Sequence, residues 1–88
     1  MSEVIRPLSN VVVISTVSSN ISGAEHVHIA NPSTTLTANV TLYNGANTSG
    51  VVGIIAIPPS DHMIILKNSD EEIESDIVVR ATSIKIWN

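Results

Sequence analysis

Glu25-His26-Val27-His28 is the stretch whose residue types and spacing come nearest to chemistry. On an extended strand, His26 and His28 stand at i and i+2 and project from one face, close enough to share a metal ion. His62 completes a three-imidazole set if its own strand pairs alongside. The chain has no cysteine, and no carboxylate cluster accompanies the histidines. The expectation is therefore polar histidines on a wet strand face, with no metal bound in the isolated domain. The acidic run Asp70-Glu71-Glu72-Ile73-Glu74-Ser75-Asp76 lacks the glycine of a calcium loop and reads as a solvated loop with one helical turn at most. Asn20-Ile21-Ser22, Asn39-Val40-Thr41 and Asn47-Thr48-Ser49 match the glycosylation acceptor pattern, as chance allows in so Asn-, Ser- and Thr-rich a chain.

Catalysis has no visible machinery. The serines sit in turns without a base or an oriented third group, and the four glycines are scattered, so no phosphate loop forms. The chain is expected not to be an enzyme and to need no cofactor. A net charge of −4, with only Arg6, Lys67, Arg80 and Lys85 as cations, disfavours nucleic-acid binding. No apolar run approaches the roughly 20 residues of a membrane-spanning helix. The N-terminus lacks the basic start and apolar region of a signal peptide, so synthesis in a reducing cytoplasm is expected. A sugar site would need an aromatic platform, and Tyr43 and Trp87 are the only aromatic residues besides histidine.

The elements that must position these residues are strands. The aliphatic residues are chiefly β-branched, 13 Ile and 11 Val against 4 Leu, which favours pleated structure. Residues 1–10 read as an extended N-terminal arm, with Val4, Ile5 and Leu8 available to dock on a neighbour, and residues 11–88 as one domain. Strands are expected at Val11–Val17, Glu25–Ala30 and Leu36–Tyr43. Val27 and Ile29 face inwards from the second, and Leu36, Ala38, Val40 and Leu42 from the third. Val51–Ile57 and His62–Leu66, separated by Pro58-Pro59-Ser60-Asp61, read as two adjacent buried strands around which the rest is laid. Ile77–Ala81 and Ser83–Trp87 close the chain. About seven short strands with polar turns predict an all-β antiparallel β-sandwich or small barrel, with Val27, Ile29, Val40, Leu42, Ile54, Ile65, Val79, Ile84 and Ile86 in its core. Such a small unstapled domain leans on neighbours, and homo-oligomerisation is one remedy. Trp87 shares a strand face with Lys85 and not with Ile84 and Ile86, which marks it as an interface anchor, and Tyr43 is expected at an interface as well.

Several stretches together carry a likeness. They are the hydroxyl-rich strand Val11–Val17, the HVHIANPS segment, the alternating Leu36–Tyr43, the run IAIPPSDHMIILKNSDEEIES and the ending VVRATSIKIWN. In this pattern the whole chain resembles small virion structural proteins of tailed bacteriophages. Trp87 and the two histidines are not required by it. The resemblance implies a non-enzymatic β-sandwich made in the host cytoplasm and carried on the virion. Its partners would be major capsid, neck or tail subunits, with capsid decoration ahead of a neck, tail or fibre role. The His26–His28 pair is also similar to the iron-binding His-x-His of some phage tail-fibre tips. The competing class is a metal- or sugar-binding β module.

Overall fold

The computed structural model describes residues 4–21, 23–45 and 50–87, the side chains of Val4 and Trp87 excepted. Within them lie eight strands and no helix: β1 (Val4–Pro7), β2 (Val12–Ile14), β3 (His26–Ala30), β4 (Ala38–Tyr43), β5 (Val51–Ile57), β6 (His62–Leu66), β7 (Glu72–Ser75) and β8 (Val79–Trp87). They form two antiparallel sheets, as in a small β-sandwich. One is five-stranded, in the order β1-β8-β3-β6 with β2 beside β8; the other runs β5-β4-β7.

The long β8 is the spine of the larger sheet. On one side it takes β3, from Val27↔Ser83 to Ala30↔Arg80. On the other it takes β1 along its C-terminal half and β2 along its N-terminal half. Strict alternation decides what each strand buries. Val27 and Ile29 of β3 and Ala38 and Val40 of β4 point between the sheets, joined by Ile14, Ile57, Ile73, Val79 and Ala81. Each such isoleucine or valine contributes about 1.5–3 kcal/mol of burial, which a domain without disulfides needs in full.

Among the described residues the edges of the two sheets are hydrogen-bonded along one side. Past β2 the chain crosses to β7, where Ser75 N donates to Ser15 O at 2.9 Å and Ser19 and Ile73 exchange two bonds at 3.0 and 2.9 Å. One end of the sandwich is tied by Asn31. Its Nδ2 donates to Leu36 O at 2.8 Å and Ile57 O at 3.0 Å, and its Oδ1 accepts from Ser33 N at 3.0 Å. Ile21 is fully buried with φ at 54°, a left-handed conformation costly for a β-branched residue. Its N–H donates to Ser19 Oγ and its carbonyl accepts from Ala24 N.

Four expectations are corrected. β5 and β6 are not a hairpin of adjacent buried strands. The Pro58–Asp61 turn carries the chain from one sheet to the other, so β5 pairs with β4 and β6 with β3, each at an open edge. The acidic run is a loop only at its ends: Glu72–Ser75 is strand β7, with Ile73 and Ser75 buried and Glu72 and Glu74 turned away. The last two expected strands are one continuous strand, β8. In the expected core, Ile54 is 66% exposed and Leu36 is exposed too, because β5 is an edge strand and β4 begins only at Ala38. Leu42, Ile65 and Ile86 are half-buried, while Val27, Ile29, Val40, Val79 and Ile84 are buried as expected.

Candidate functional site

The outward face of β3 and β6 carries all three histidines. β6 does pair alongside β3, with His28 opposite Ile64 and Ala30 opposite His62. This diagonal brings His28 Nε2 within 3.2 Å of His62 Nδ1, the rings 5.0 Å apart and tilted by 36°. Partial burial, and then the neighbouring His62, hold the His28 pKa below its ordinary value. One ring must donate and the other accept, so the accepting imidazole is neutral. His26 lies two residues along the same face. Among the described residues no group of three or more His, Cys, Asp or Glu side chains comes together as a metal site.

The remaining polar side chains are structural ties. Tyr43 lies on the outward face of β4, its Oη donating to Glu74 Oε2 at 3.3 Å; loss of solvent, then the Glu74 carboxylate, push its pKa up. Both Asp76 carboxylate oxygens accept from Asn39, from N and Nδ2 at 2.8 Å each, which lowers the Asp76 pKa. Lys67 is buried, with Nζ donating to Asn68 O at 3.1 Å. Burial lowers its pKa against the opposing pull of Glu71, Asp70 and Glu25. Ser18 Oγ likewise donates to Glu72 Oε1, at 2.7 Å.

The surface that stands out is apolar. Opposite the β2–β7 seam the sandwich is open, and β5 and β6 flank the opening with unpaired edges. A groove of about 330 Å³ runs there, bordered by Leu42, Val52, Ile54, Ile55, Ile65 and Leu66. Leu66 is 71% exposed, and Val51, Val52 and Ile55 are exposed as well, while the exposed Ile64 lies opposite His28 on the outward face. Val11, Val13 and Val17 are exposed elsewhere, but Val13 sits opposite Arg80 on β8 and the chain beyond β2 is paired to β7.

Of the residues expected at an interface, Ile5 and Leu8 are exposed. The arm is paired, however: β1 lies against β8, and Leu8 N donates to Ser83 O at 2.7 Å. Tyr43 is half-buried. The side chains of Val4 and Trp87 lie outside the described residues, though their backbones pair. The exposure of Val52, Ile54, Ile64 and Leu66 is not marked in the sequence, where a dense aliphatic run signals burial and Ile54 is expected in the core. The available signal was that run itself, in a chain too small to cover it. Compared with known proteins, the chain matches no family model, no curated protein and no solved structure.

Proposed function

We propose that this protein is a non-enzymatic assembly module, held in a larger particle by neighbours that cover the open β5–β6 side. The observation that carries the reading is the unpaired, aliphatic opening itself. Isolated proteins rarely leave so continuous an apolar strip beside unpaired backbone, and where they do it marks a contact site. The pattern resemblance supports placing it on a tailed-phage virion, with capsid decoration ahead of neck, tail or fibre roles. Ile5 and Leu8 on the β1 side would add a second contact. The neighbours would be capsid, neck or tail subunits, and other copies of this chain.

The test is attachment to particles that lack the protein. Wild-type chain added to them should bind at full occupancy. Leu66→Glu, which alters an exposed side chain and leaves the core intact, should fold and fail to attach. Attachment of folded Leu66→Glu at wild-type occupancy would refute the reading.

A further inference from the structure

Five strands lie at the edges of the two sheets: β1, β2 and β6 in one, β5 and β7 in the other. Four of these edges are guarded. β2 is three residues long, and the chain beyond it is bonded to β7. β7 is bonded to residues 15–19. β1 carries Arg6 and Pro7, a charge and a residue with no N–H to offer. β6 is five residues long and sits directly between Asp61 and Lys67. β5 has none of these protections, and the one irregularity in its pairing with β4 lies at its start, between Val51 and Gly53. It is seven residues, Val-Val-Gly-Ile-Ile-Ala-Ile, with no charge, no proline and exposure at every position but Ile57. Resting on the reading that the open side is a contact surface, we propose that β5 pairs antiparallel with β5 of a second copy, about a twofold axis at Ile54.

The charge distribution selects a second copy. Each chain carries a net charge of −4, so most faces of two copies repel. Residues 26–60 contain no Asp, Glu, Lys or Arg, and β5 with its partner β4 lies wholly within them. Two copies therefore meet along β5 without setting like charges opposite each other. Antiparallel pairing of one edge with itself is also self-complementary. With the axis at Ile54, which lies opposite Thr41 on the outward surface, the two Ile54 side chains face each other. On the inward surface Gly53 meets the second copy's Ile55, whose side chain then closes part of the groove mouth. The smaller sheet doubles from three strands.

The exposed parts of Val51, Val52, Ile54 and Ile55 amount to roughly 200 Å² of aliphatic surface per copy, taking about 100 Å² for a whole side chain. With two free backbone edges added, the interface falls at the small end of specific contacts, and dissociation in the micromolar range is expected.

The experiment is sedimentation velocity on the full chain from about 1 to about 300 micromolar, which brackets such an affinity. Wild type should pass from monomer to dimer across the range. Ile54→Lys, whose change sits on an exposed outward position, should keep the wild-type circular dichroism and remain monomeric. The chain has no cysteine, so Ile54→Cys gives a single thiol. On oxidation it should form a disulfide-linked dimer far faster than Val13→Cys, an equally exposed position away from β5. Wild type that stays monomeric throughout, a dimer unchanged by Ile54→Lys, or equal cross-linking at the two positions would each overturn the proposal. Loss of particle attachment by Leu66→Glu alongside a monomeric wild type would leave the assembly reading standing and remove only the self-pairing.

Discussion

Asn31→Ala should cost this domain a large part of its stability. Asn31 is 2% exposed and joins the end of β3 to the β5–β6 turn and to the chain entering β4. Its two Nδ2 hydrogens go to Leu36 O at 2.8 Å and Ile57 O at 3.0 Å, with Pro58 O sharing at 3.3 Å. Its Oδ1 takes the Ser33 N–H at 3.0 Å. Three bonds at about 1 kcal/mol net each give a loss of about 3 kcal/mol. For a chain of 88 residues the whole stability is roughly 4–13 kcal/mol, so the variant should melt about 15 °C lower. Urea unfolding followed by circular dichroism measures the difference. Asn31→Asp should be at least as damaging near neutral pH, because it sets a carboxylate against carbonyl oxygens, and should recover partly in acid, where a protonated carboxyl donates once. A loss below about 1 kcal/mol for Asn31→Ala would show that the tie does not hold the two sheets together.

Three further outcomes are expected. Val40→Asp places a charge between the sheets where no partner exists, a change worth more than about 4 kcal/mol, and circular dichroism should report an unfolded chain. His28 has a pKa below its ordinary 6.5, so the unfolded chain binds more protons between the two values. Its contribution is complete above 6.5 and lost as pH falls towards the folded value. The urea midpoint should therefore drop less between about pH 7.5 and about pH 5.5 in His28→Gln than in wild type, and an equal drop would refute the assignment. Ser60 sits at φ 61° behind Pro59 in the Pro58–Asp61 turn, where glycine is the favoured residue. Ser60→Gly should raise stability by about 0.5–1 kcal/mol, read as a melting temperature several degrees higher.

The class of fold was legible because alternation is a local property. Val27 and Ile29 against His26 and His28, and Ala38 and Val40 against Asn39 and Thr41, fix which side of β3 and β4 is wet. What was not legible is which sheet a strand joins. Pro58-Pro59-Ser60-Asp61 is turn chemistry, and turn chemistry does not say whether the chain returns beside itself or crosses to the facing sheet. Strand β7 was hidden by its charges, although Glu72 and Glu74 outward with Ile73 and Ser75 inward is the same period of two. Ser83 lies inside β8, where it reads equally as a turn residue, so one strand looked like two. The tie at Asn31 cannot be read from Asn-Pro-Ser, since its partners are brought in from β5 and from residue 36. The histidine pair was half legible: the shared face of His26 and His28 follows from spacing, while the approach of His62 depends on the register of β6.

Amide hydrogen exchange on the free and the assembled protein tests the central claim most directly. In dilute free protein the outward-pointing amides of Val51–Ile57 and His62–Leu66 have no partner across the open side and should exchange fast. In the assembled state the account predicts that these two strands gain protection, β5 most of all, while β7, already paired on both sides, changes little. Assembly that protects other segments and leaves residues 51–57 and 62–66 exchanging as in the free chain would contradict it.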